Sequence, residues 1–201
     1  MAQDILGQRW KAKWAENKDN FNAEHEPIFS LIMKLDTDKP TYDHVADKGK
    51  LTKVLHEKLI DFNFCASSKL NLVFFTDAVK YLCAITRILM QPRGNAMLIG
   101  VSGSGKQSLT TFAAFMLEQK CFQLSLSKNF KPSDFRETIR AQMLIAGCDN
   151  KPQTFLLTDT QIMYESFLED INNILNTGEI TNLYQKEDID RMIFSLEKQL
   201  K

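Results

Sequence analysis

The stretch Gly100-Val-Ser-Gly-Ser-Gly-Lys106-Gln-Ser108 constrains this chain more than any other feature. Before it lies an apolar run, Ala96 to Gly100, that reads as a buried strand. After it a helical pattern opens near Lys106 and turns Leu109, Phe112, Ala113 and Met116 inward. A glycine turn between a strand and a helix lets successive backbone N–H groups curl around an anion. The helix N-terminus adds partial positive charge. Lys106 supplies a mobile cation for the β- and γ-phosphates of a nucleotide. A glycine-rich turn with an incidental lysine is the plainer alternative, and the flanking strand and helix disfavour it. Gly100, Val101, Ser102, Gly103, Ser104, Gly105, Lys106, Gln107 and Ser108 are therefore the candidate nucleotide-binding residues.

One position departs from the usual spacing. Gln107 follows the lysine, where a Ser or Thr hydroxyl normally ligates Mg²⁺, and Ser108 stands one place later, about 100° further round the helix. Magnesium coordination by Ser108 or Gln107 is thus in doubt, while phosphate binding is not. The second element of such a site is an acidic residue at the tip of a buried strand. Thr154-Phe-Leu-Leu-Thr-Asp159 supplies it, with Asp159 placed to hold a magnesium water. The glutamate that orients the attacking water in hydrolysing enzymes is replaced by Thr160, followed by Gln161. Threonine is no general base near neutral pH, and Gln161 is expected at most to orient water. These residues favour nucleotide binding over hydrolysis.

Charge and composition narrow the remaining classes. Lys and Arg number 25 and Asp and Glu 25, so bulk charge does not drive binding to nucleic acid or to an anionic membrane. Apolar stretches run to about six residues, against roughly 20 for a bilayer-spanning helix. The N-terminus shows no secretory pattern. Cys65, Cys83, Cys121 and Cys148 fit no zinc or redox spacing and are expected to be reduced and buried as small hydrophobes. His25, His44 and His56 form no ligand cluster.

The fold class expected is α/β: a parallel sheet with flanking helices, preceded by a helical extension. Residues 1–64 read as a charged helical linker and 65–201 as the nucleotide-binding domain. The extension holds a helix-like run from Ile5 to Lys18, with Trp10 and Trp14 on one face, and a helix over Lys50–Phe62. Further helices are expected over Thr76–Met90, from Lys106, over Asp134–Ala146 with Ser133 as cap, over Met163–Asn176 and over Glu187–Lys201. The helix 163–176 should turn Phe167, Leu168, Ile171, Ile174 and Leu175 to the core, and Gly178 should end it. Strands are expected at Ala96–Gly100, Cys121–Leu126 and Thr154–Thr158.

Gln91 to Phe115 and Thr154 to Tyr184 resemble the axonemal dynein heavy chains, specifically the fourth AAA+ module of the motor ring. NLVFFTDAVKYL before the loop and FQLSLSKNFKPSDFRETIR after it fit the same module. The resemblance implies a P-loop NTPase core whose five parallel strands run in the order 5-1-4-3-2, followed by a helical lid. The chain offers counterparts of the first three strands and is expected to be a partial core, without lid, sensors, stalk or arginine finger. It is thus expected to be a fragment, a short isoform or a truncated paralogue. By the same resemblance ATP or ADP is the ligand, Leu72 and Val73 lie near the adenine, and the fourth module is regulatory. The implied partners are neighbouring AAA+ modules or other dynein chains, with microtubules reached only through the whole motor and the ciliary or flagellar axoneme as location. Against this stands a non-catalytic, dynein-like interaction protein that uses Trp10, Trp14 and the charged helices as its contact surface. A small P-loop kinase is the third reading, and beyond Asp159 only Arg191 is available for its substrate phosphate.

Overall fold

The computed structural model describes residues 27–35, 37 and 40–199. The expected helix Ile5–Lys18, with Trp10 and Trp14, lies outside the described residues. Within them the chain forms β1 (Phe29–Ser30), β2 (Asp43–His44), α1 (Lys48–Cys65), α2 (Thr76–Met90), α3 (Lys106–Met116), β3 (Lys120–Phe122), α4 (Pro132–Cys148), β4 (Gln153–Phe155), α5 (Glu165–Thr177) and α6 (Lys186–Gln199). One-turn 3₁₀ helices lie at Ile32–Lys34 and Asp159–Gln161.

Two apolar clusters organise these elements. The first joins α1, α2 and α3 to the short β1–β2 ribbon. Helix α1 starts where the Asp47 carboxylate accepts the Lys50 N–H at 2.9 Å, satisfying one free donor of the first turn. Its Leu51, Leu55, Leu59 and Phe62 recur on one face and are all buried. Helix α2 buries Val79, Leu82 and Ile85, and helix α3 buries Leu109, Phe112, Ala113 and Met116. Phe112 is enclosed by Phe62 and Phe74, with ring centroids 6.2 and 5.8 Å away. Each such side chain contributes roughly 1.5–3 kcal/mol on burial. The antiparallel β1–β2 pair was not legible in the sequence; its buried flanks, Ile28, Ile32 and Val45, join the same cluster.

The second cluster forms around the parallel pair β3–β4, aligned Cys121 to Thr154 and Phe122 to Phe155. Phe122 and Phe155 stack at 4.8 Å. Helix α4 connects the two strands, as parallel neighbours require. Its Phe135 stacks on Phe167 of α5 at 4.3 Å. Arg136 grips Asp170 with two hydrogen bonds, 2.8 and 2.7 Å, and Asp170 is only 2% exposed. The two clusters meet at Gln119. Its amide donates to the Leu89 carbonyl of α2 and accepts the Thr154 hydroxyl of β4.

Several expectations need correction. Ala96–Gly100 is neither a strand nor buried: Met97 and Ile99 are 86% and 85% exposed, and no ladder joins this segment to another strand among the described residues. Apolar residues record a preference for burial, but a strand needs a neighbour, and the described sheets pair only β1 with β2 and β3 with β4. The strands expected at Cys121–Leu126 and Thr154–Thr158 shrink to three residues each, since their ladder ends at the Leu156 N–H to Phe122 carbonyl bond. Ser133 does not cap α4. The helix begins at Pro132, and the Asp134 carboxylate reaches back to the Lys131 N–H. On α5, Leu168 and Leu175 stay half-exposed while Asp170 is buried, because the Arg136 pair turns that face toward α4. Cys65 is exposed, Cys121 and Cys148 are intermediate, and Cys83 alone is buried.

Arg136→Ala leaves the Asp170 carboxylate buried without its cation. Because Arg136 is partly open to solvent, the loss should lie near the low end for such pairs, about 3 kcal/mol in urea unfolding. The double change Arg136→Met with Asp170→Leu should recover most of it, and no recovery would show that the pair does not set the α4–α5 contact. Burial pushes the Cys83 and Cys121 thiols above the ordinary range. A thiol reagent at neutral pH should therefore modify Cys65 first and Cys83 last, as mass mapping of the native chain would reveal.

Candidate functional site

The loop is shaped by two left-handed glycines. Gly103 and Gly105 stand at φ +78° and +79°, and a Cβ on either would meet nothing within 4 Å. Their requirement is torsional rather than steric. Gly105 is the residue from which α3 springs, and the first bond of the helix runs from the Leu109 N–H to the Gly105 carbonyl at 2.8 Å. The N–H groups of Lys106, Gln107 and Ser108 precede that bond and are the free donors of the helix start.

Lys106 closes the loop on itself. Its ammonium donates to the carbonyls of Gly100 and Val101 at 2.8 and 2.7 Å and to the Ser104 hydroxyl at 3.1 Å. An ammonium has three protons, so its whole donor capacity is spent inside the loop. The structure thus draws Gly100, Val101, Ser104 and Lys106 together. Gln107 faces solvent and Ser108 is half-buried. Leu72 packs against the first cluster, whereas Val73 is exposed.

Asp159 begins the 3₁₀ turn beyond β4 and is exposed. One carboxylate oxygen accepts the Thr160 N–H at 3.0 Å. No hydrogen bond or ion pair links it to the loop among the described residues. Nor is there, among those residues, a group of three or more His, Cys, Asp and Glu side chains. A lone carboxylate suits a cation held mainly by phosphate oxygens and water, which is the habit of Mg²⁺. Thr160 pairs its hydroxyl with that of Thr158 at 3.0 Å. Gln161 does not face solvent to orient a water, as the sequence suggested. It is buried, accepting the Thr158 N–H at 3.0 Å and donating to the Leu124 carbonyl at 2.9 Å. An amide in a motif position reads as exposed chemistry, and nothing in the sequence marks its turn inward. A separate shallow cavity between α4 and α6, lined by Arg140, Leu144, Cys148, Asp188, Arg191 and Met192, contains none of the loop residues.

Residues 70–201 match the family described as the P-loop containing dynein motor region D4. The chain belongs to this family. It is 42% identical to human dynein axonemal heavy chain 1 over 194 residues, 96% of this chain. It is 45% identical to the mouse heavy chain 1 over 83% of this chain. Over 88% of its length it is 44% identical to the dynein-1-beta heavy chain of the flagellar inner arm I1 complex of Chlamydomonas reinhardtii. The chain spans about 4% of the length of each of these curated relatives. The matched family region contains the loop, α3, both strands of the parallel pair and Asp159.

Because nothing crowds Gly105, Gly105→Ala isolates the torsional requirement. It should lower stability by about 1 kcal/mol in urea unfolding. An unchanged midpoint would mean that the left-handed turn does not constrain the start of α3.

Proposed function

We propose that the chain is an ATP- or ADP-binding AAA+ module of the dynein type, whose role is regulatory binding rather than hydrolysis. The observation that carries this reading is the loop at the head of α3, where the free N–H donors of the helix start stand beside a lysine already drawn into the loop. An arriving phosphate offers the ammonium stronger, charge-assisted acceptors than neutral carbonyls do. The nucleotide would then be held by the Gly100–Ser108 backbone and Lys106, with Leu72 and Val73 on the adenine side. Mg²⁺ would be held through water at Asp159, with Ser108 or Gln107 as the second protein group. The parallel β3–β4 pair supports an incomplete P-loop NTPase core over 65–201, with 1–64 as an extension whose α1 packs into the first cluster.

Hydrolysis finds little support. Thr160 is bonded to Thr158, and both ends of the Gln161 amide are used. A threonine hydroxyl is no base near neutral pH, and the Gln161 amide is buried away from solvent. The likeness to axonemal heavy chains supports neighbouring AAA+ modules or other dynein chains as partners, the axoneme as location, and microtubules as a partner of the whole motor only. No described helix is long and apolar enough to cross a membrane. A second reading, an interaction protein that does not use nucleotide, draws on the exposed segment carrying Met97, Ile99 and Val101.

Calorimetry on the folded, monomeric chain separates the two. The nucleotide reading predicts micromolar ATP and ADP binding, weakened at least about tenfold by Lys106→Ala through the loss of a charged hydrogen-bond donor. A well-folded chain that binds neither nucleotide contradicts it and favours the interaction reading.

A further inference from the structure

We propose that Gln161 is a positioning residue that aims the Asp159 carboxylate at a nucleotide-bound magnesium ion. This rests on the reading of the loop as a nucleotide site. The inference comes from where the Gln161 amide goes. Its oxygen accepts the Thr158 N–H within its own turn, and its nitrogen donates across to Leu124, beyond the end of β3. The last ladder bond between the two strands is Leu156 N–H to Phe122 carbonyl. Past that point the backbones have no further bond of their own, and the Gln161 side chain joins them instead. The turn from Thr158 to Gln161 is therefore pinned at both ends: at Thr158 by the Gln161 amide oxygen, and at Gln161 by its bond to the carbonyl of buried Leu124.

Asp159 sits between those pins. Within the turn, the hydroxyls of Thr158 and Thr160 share one hydrogen bond, and the Thr160 N–H donates to one oxygen of the Asp159 carboxylate. The other oxygen of Asp159 has no hydrogen-bond partner among the described residues, and Asp159 is exposed. The turn thus leaves one anionic oxygen of an exposed carboxylate open to a ligand. A methionine would fill the Gln161 position but leave the Thr158 N–H and the Leu124 carbonyl without these partners; the amide's distinctive contribution is the bond to Leu124. At this position the amide does geometric work for a carboxylate two residues away, in place of the water-orienting work suggested by its place in the motif.

The test uses the whole chain and reads how strongly magnesium tightens ATP binding, measured as the ratio of Kd without and with Mg²⁺. The wild type should show about a tenfold ratio, an ordinary coupling between two bound ligands. Asp159→Asn should bring the ratio close to one. Gln161→Met should do the same while leaving the magnesium-free ATP affinity unchanged, and adding it to Asp159→Asn should have no further effect. A merely structural glutamine would lower thermal stability and leave the ratio intact. If Gln161→Met does not fold, Gln161→Glu decides: it keeps an acceptor for Thr158 but loses the donor to Leu124, and should also reduce the ratio. A ratio lost in Asp159→Asn but kept in the folded Gln161 variant overturns this inference alone. A wild-type chain that binds ATP without any magnesium effect, or binds no ATP, overturns the magnesium site or the nucleotide reading itself, and the inference with it.

Discussion

Helix α3 is anchored at its middle by Phe112, and the chemistry at its N-terminal end depends on that anchor. Phe112 is fully buried between Phe62 and Phe74, with Leu109, Ala113 and Met116 beside it. These contacts fix the helix axis, and the axis fixes where the N–H groups of Lys106, Gln107 and Ser108 point. The two left-handed glycines then decide how the chain arrives there. A loop of the same composition without a buried helix behind it would have no preferred direction for its donors, and a dipole without an anchor makes no site.

The second half of the site is held by side-chain amides. The parallel pair is only three residues long on each strand, too short to hold the strand ends by ladder bonds alone. Gln119 ties its start to the end of α2 and to Thr154, and Gln161 ties its far end to Leu124. One amide thus connects the two apolar clusters and the other fixes the turn that carries Asp159. The Arg136–Asp170 pair performs a similar task between α4 and α5. Buried polar groups of this kind add little net stability when satisfied, and they select one arrangement over its neighbours because the alternatives leave them unsatisfied.

Local signals are legible in the sequence. Helix α2 runs over Thr76–Met90 as its apolar stripe indicates, and α3 begins at Lys106, where the glycines end. Membership of the dynein D4 family was legible from the residues around the loop and around Asp159. Features that depend on a distant partner were not legible. Ala96–Gly100 has the composition of a buried strand and lies exposed, because pairing is decided by a neighbour. Leu168 and Leu175 fit the apolar stripe of α5, yet a bidentate ion pair from another helix draws Asp170 inward instead. Gln161 looks like a motif residue and acts as a clamp. The β1–β2 ribbon pairs only two residues per strand, below what alternation can reveal.

On the proposed reading, a nucleotide phosphate takes the Lys106 ammonium from the carbonyls of Gly100 and Val101 and seats on the N–H groups at the head of α3. Amide and lysine side-chain NMR of the ¹⁵N-labelled chain, titrated with ADP, tests it most directly. The account predicts that the largest shifts fall on Gly103, Gly105, Lys106, Gln107 and Ser108 and that the Lys106 ammonium signal moves with them. Saturating shifts centred instead on Arg140 and Arg191 between α4 and α6, with the loop unmoved, would contradict it.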